Sequence, residues 1–161
     1  MFNNVKSVNV KADYQIMILS AKKFIEDETD IVALLSNLSA LINNYVDDIN
    51  WVGFYLLKGN ELVLGPFQGK PACTRIPVGK GVCGKAVLVR EPVIVPDVSQ
   101  FQGHIACDSA SVSELVIPIF KNGNVYGVLD IDSTRQNRFA DLELEYLKQI
   151  TGLLADFLNK H

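Results

Sequence analysis

The sequence predicts an α+β fold, a central and mostly antiparallel sheet flanked by helices from the N- and C-terminal ends of the chain. Three observations predict it. Apolar residues recur at helical spacing near both ends. The middle carries short β-branched and aromatic runs broken by turn residues. One of those breaks, Asn122-Gly123, is the dipeptide that supplies the positive φ angles of a two-residue hairpin turn.

Tyr14, Met17, Ile18, Ala21, Phe24 and Ile25 define a first helix over 13–28. Asp30 caps a second, whose stripe runs Ile31, Leu34, Leu35, Leu38, Leu41, Ile42 and Tyr45. Trp51 to Leu57 reads as a strand, turned by Lys58-Gly59-Asn60 into a second strand over Glu61–Leu64. Residues 65–112 read as loop, rich in proline and glycine, with a short helix at Gly84–Val89 and a short strand at Val93–Val95. Glu114–Lys121 and Val125–Asp132 form the hairpin, and a helix over 140–159 closes the chain with Leu147, Ile150, Leu154, Phe157 and Leu158 on one face. A loop-rich stretch of that length inside a compact domain is usually functional. With neither repeat nor linker, residues 1–161 read as a single domain.

Composition narrows the function. The 161 residues are 48% hydrophobic and 20% charged, which excludes disorder. Fifteen basic against eighteen acidic residues give a net charge of −3, with no basic surplus to neutralise phosphates, so nucleic acid and anionic membranes are not expected partners. No apolar run is long enough to span a bilayer, and the opening residues Met1 to Lys6 lack the order of a signal peptide; a cytoplasmic location is expected. Three cysteines, Cys73, Cys83 and Cys107, are too few and odd in number for a secreted disulfide framework. They are core fillers, metal ligands or redox groups.

Cys83 falls in Gly79-Lys80-Gly81-Val82-Cys83-Gly84, where a turn meets the short helix; a helix N-terminus lowers a thiol's pKa. A zinc site would draw on Cys73, Cys83, His104 and Cys107, but no pair of cysteines has the close spacing of compact zinc motifs. Asp130 and Asp132 alternate with Ile131 and so face one side of the sheet. Pairing about Asn122-Gly123 brings together residues whose numbers sum to about 245, which puts Glu114 opposite Ile131 and beside both aspartates. Three carboxyls there are either a solvated strand edge or a receptor for an ammonium group, with one acid kept protonated by crowding. Trp51 and Tyr55 share a face of their strand, as core anchors or as the walls of a cage for a small thioether group.

Five stretches, taken in order, resemble a known family: Asn50-Trp51-Val52-Gly53-Phe54-Tyr55, then Leu64 through Cys73, Gly79 through Gly84, Gly103-His104-Ile105-Ala106-Cys107-Asp108, and Gly127 through Ser133. The likeness is to the free methionine-(R)-sulfoxide reductases, enzymes built on one GAF domain, and it covers roughly residues 14–158. The three cysteines, 10 and 24 positions apart, keep that family's spacing. Gln102 and Thr134 stand where the family commonly has proline, which bears on loop geometry and on no reacting group.

The resemblance implies a GAF fold and reduction of free methionine-(R)-sulfoxide by thiol chemistry, with no metal and no cofactor. Cys107 would be the nucleophile, leaving a sulfenic acid, and Cys73 would condense with it into a disulfide, with Cys83 as a second candidate resolving thiol. A thioredoxin-type dithiol would restore the enzyme. Glu114, Asp130 and Asp132 would hold the substrate ammonium and protonate the sulfoxide oxygen, while Trp51 and Tyr55 would wall the methyl pocket. A homodimer is implied by resemblance alone. The rival function is a non-catalytic GAF module that senses a small ligand or redox state; such a module has no need of three cysteines close in space.

Overall fold

The computed structural model describes residues 6–161, so the signal-peptide reading of the first five residues lies outside it. The chain runs α1 (Val10–Asp27), α2 (Ile31–Tyr45), β1 (Trp51–Lys58), β2 (Glu61–Gly69), β3 (Arg75–Pro77), α3 (Gly81–Val89), β4 (Val93–Val95), a 3₁₀ turn (Val98–Gln100), β5 (Ser113–Lys121), β6 (Asn124–Ser133) and α4 (Asp141–Lys160). Helix α2 begins where expected because the Asp30 side chain accepts the Ala33 N–H at 2.9 Å. Helix α1 starts earlier than its apolar stripe, at a cap made by Asn9.

The six strands form one antiparallel sheet in the order β3-β2-β1-β6-β5-β4. Its two faces are covered differently, and the alternation along β1 shows how. Val52 and Phe54 point to one face, into a core shared with α1, α2 and α4; Trp51 and Tyr55 point to the other, beneath α3 and the loops around it. The fold is therefore three layers, with the larger core on the helical side and the smaller on the side of α3.

Three expectations are corrected here. The stretch 65–112 is less irregular than its glycines and prolines suggested: β2 runs on to Gly69, and β3, the whole of α3 and β4 lie within it. Helix α3 begins at Gly81, not Gly84; Gly84 lies inside its first turn, where a Cβ would meet the Pro77 carbonyl oxygen at 2.5 Å, so the glycine serves packing and does not mark the helix start. The hairpin register is also shifted. Asn122 and Gly123 do take positive φ, 49° and 78°, and Lys121 pairs with Asn124 as the turn requires. An irregularity at Ile119/Phe120 then moves the pairing by one residue, so that Glu114 lies opposite Asp132, not Ile131. That single step matters, because directly paired residues share a face: it puts Glu114 on the same side as both aspartates.

Candidate active site

Glu114 of β5, Asp130 and Asp132 of β6, and Trp51 and Tyr55 of β1 all project from the α3 side of the sheet into one pocket. Gly81–Cys83, the first turn of α3, forms a second wall, and the loops bearing Cys73 and Cys107 close over the top. Of the residues singled out in the sequence, Trp51, Tyr55, Cys83, Cys107, Glu114, Asp130 and Asp132 line this pocket, and Cys73 lies behind it, bonded to Cys107. The acids are no solvated strand edge: Glu114 and Asp130 are each 6% exposed, and Asp132 is half-buried.

Cys73 and Cys107 are joined by a disulfide, which removes the four-ligand zinc arrangement. β1 holds both loops in place. The Tyr55 hydroxyl donates to the Cys73 carbonyl at 2.8 Å, and the Trp51 ring N–H donates to Lys70 at 3.1 Å. The Asn50 amide nitrogen donates to Asp108 at 3.2 Å and to Ser111 at 3.1 Å. Trp51 stacks on Phe67 with 5.2 Å between centroids and on Tyr55 with 5.9 Å, which makes a flat aromatic wall.

Electrostatics set the protonation of the site. Burial, then the neighbouring Asp132, pushes Glu114 up to about 8. Burial and Glu114 together hold Asp130 well above the usual carboxylate range, and burial with Asp130 and Asp108 does the same for Asp132. At neutral pH Glu114 therefore retains its proton, and burial beside like charges disfavours the charged form of both aspartates. Asp108 differs: the Ala110 N–H and the Asn50 amide keep it below the ordinary range, so it remains ionised at the rim.

Cys83 reverses an expectation. Its position in the first turn of α3 suggested a depressed pKa, yet burial and the carboxyls of Asp130 and Glu114 raise the thiol well above its ordinary value. A helix terminus contributes a fractional charge, too little to offset full desolvation beside acids. Cys83 is a regular helical residue, 3% exposed, with its Sγ 3.9 Å from Glu114 Oε1. The ligand atoms of Cys83, Glu114 and Asp130 lie within 4.8 Å of one another, so this cluster is where a cation could be held among the described residues. Asp130 Oδ1 is buried with no hydrogen-bond partner, an acceptor open to a donor from a ligand.

Three residues of the site escaped the reading of the sequence in these roles. His104, weighed only as a zinc ligand, faces Glu114 with Nε2 3.5 Å from Oε2. Asn50 and Asp108 organise the Cys107 loop. All three lie inside the motif stretches that carry the family resemblance, and that membership was their only signal.

The fold and this pocket define a GAF domain, and the GAF domain family model matches residues 24–157. The free methionine-R-sulfoxide reductase of Escherichia coli is 53% identical over 131 residues, covering 81% of this chain and 79% of that protein. Among solved structures, fRMsr of Staphylococcus aureus in complex with substrate is 51% identical, with a TM-score of 0.86 over 97% of this chain and 99% of that one. The free methionine-R-sulfoxide reductase of Neisseria meningitidis, also with its substrate, is 40% identical, with a TM-score of 0.92 over 98% of this chain and 95% of that one. The chain belongs to the free methionine-R-sulfoxide reductase family of GAF domains and is an enzyme, an oxidoreductase.

Proposed function

We propose that this enzyme reduces free L-methionine (R)-S-oxide to methionine. The observation that carries this reading is the meeting, in one pocket, of a cysteine already joined to a second cysteine with three carboxyls whose burial and mutual repulsion favour their protonated forms. In the reduced enzyme the Cys107 sulfur attacks the sulfoxide sulfur while an acid protonates the oxygen, which is a poor leaving group until it is protonated. The oxygen passes to Cys107 as a sulfenic acid and methionine leaves. The Cys73 thiol then displaces that oxygen as water and forms the disulfide. A dithiol of the thioredoxin type accepts the disulfide by exchange and returns both thiols. Cys83, buried and held protonated, is the less suited of the two candidate resolving thiols.

The substrate ammonium sits among Glu114, Asp130 and Asp132, and its charge drives one of them to ionise. Trp51 and Tyr55 receive the methyl group and so select the R epimer. A peptide-bound residue has a neutral amide in place of the ammonium, which leaves the buried acids without their partner. Thioredoxin as reductant, a cytoplasmic setting, a homodimer and one GAF domain over 1–161 belong to the same proposal; among the described residues no helix is long and apolar enough to cross a membrane.

Reduced enzyme mixed with the free R sulfoxide, with no added reductant, is expected to release one methionine per chain and to lose two thiols. No release, or release without thiol loss, contradicts the proposal.

A further inference from the structure

We propose that His104 is a catalytic residue that carries the Cys107 thiol proton to Glu114; this rests on the function proposed above. His104 and Cys107 lie three residues apart on one loop, and both line the pocket. His104 Nε2 stands 3.5 Å from Glu114 Oε2, and the other Glu114 oxygen faces the Cys83 sulfur. Contacts of this kind are often long in the absence of substrate and tighten when it binds.

The reaction's proton count is met by such a path. A thiol and a sulfoxide give a sulfenic acid and a sulfide with no proton gained or lost overall. The proton leaving Cys107 thus balances the one that Glu114 gives to the sulfoxide oxygen. An imidazole does this with two nitrogens: Nδ1 accepts the thiol proton as Nε2 passes its own to the Glu114 carboxylate.

The surroundings suit a base. Facing His104 across the pocket are Glu114 on β5, Asp130 and Asp132 on β6, Cys83 on α3 and Tyr55 on β1, while its own loop adds Asp108. No lysine or arginine lines that pocket. Burial lowers the His104 pKa, so the ring is neutral and able to accept a proton at neutral pH. The Cys107 thiol has no other neutral nitrogen base among the pocket residues.

The test has two arms. In reduced protein, alkylation of Cys107 by iodoacetamide is followed by peptide mass spectrometry across roughly pH 5.5 to 9, a range that brackets imidazole titration. His104→Ala and His104→Gln are both expected to move that profile upward by about one pH unit or more. In the second arm, single-turnover methionine release from the free R sulfoxide is expected to slow about 100-fold in both variants, with substrate affinity little changed. Added imidazole is expected to restore His104→Ala in proportion to its free-base concentration, which a merely structural histidine would not allow. An alkylation profile matching wild type in the soluble variants overturns the inference, and so does slow release that imidazole leaves unrestored. Wild-type enzyme that releases no methionine would defeat the proposed substrate instead, and the alkylation profile would still decide the role of His104.

Discussion

Glu114 concentrates the chemistry of the site in one side chain. Two acids of β6, the Cys83 thiol and His104 surround it, and burial, then Asp132, raises it to about 8. If its proton serves the sulfoxide oxygen, the rate holds below that value and falls above it, as the carboxylate forms. Glu114→Gln is then expected to lower single-turnover methionine release about 100-fold and to erase the basic limb near pH 8. A limb that survives in the variant would assign it to Asp130 or Asp132. The cysteines separate by step. Cys107→Ser is expected to release no methionine while keeping its circular dichroism spectrum. Cys73→Ser is expected to release one equivalent, leave a sulfenic acid that dimedone traps, and stall with thioredoxin as reductant. Continued turnover of that variant would transfer the resolving role to Cys83.

At the level of elements, the hairpin shows what periodicity reads and what it misses. Alternation alone located β5 and β6, and Asn122-Gly123 located their turn. The irregularity at Ile119/Phe120 has no such signature, since either register leaves apolar residues on both faces of a sheet that is covered on both sides. The one-residue error that follows matters little for stability and much for the site, because it decides whether Glu114 faces the aspartates. Helix α3 was read short for a related reason. Apart from Lys85 it is made of apolar and small residues spread around the helix, so no stripe marks its start, and its first turn packs closely at Gly84. The caps and turns are tested by stability. Asp30→Ala is expected to cost about 1 kcal/mol through loss of the bond to the Ala33 N–H. Gly123→Ala is expected to cost about 1 kcal/mol from backbone strain alone, since a Cβ there meets nothing within 4 Å. Urea midpoints check both.

For the molecule as a whole, the acids serve function at the expense of stability. A carboxyl raised from 4.5 to about 8 in the folded chain binds its proton more tightly there than in the unfolded chain. Its contribution is complete below about pH 4.5 and is lost as pH rises toward 8. The substrate-free enzyme is therefore expected to lose on the order of a few kcal/mol from this group between those limits. Glu114→Gln is expected to unfold at a higher urea concentration than wild type at pH 8.5 and to show a flatter profile. A wild-type profile without that decline would mean the site is better solvated than its burial indicates.

The same whole-molecule view explains what was legible in the sequence. The layers followed from local periodicity, and the gathering of the cysteines and acids followed from five motifs that one family shares. The protonation of Cys83 and the contact made by His104 depend on residues distant in the chain that converge only on folding. No short window of sequence holds them.

The central claim is that a free ammonium group, gripped by buried acids, presents a sulfoxide of one handedness to Cys107. Methionine formation, measured separately with free R, free S and peptide-bound sulfoxides and with thioredoxin as reductant, tests it most directly. The account predicts turnover of the free R form alone. Comparable turnover of a peptide-bound or free S sulfoxide would contradict it.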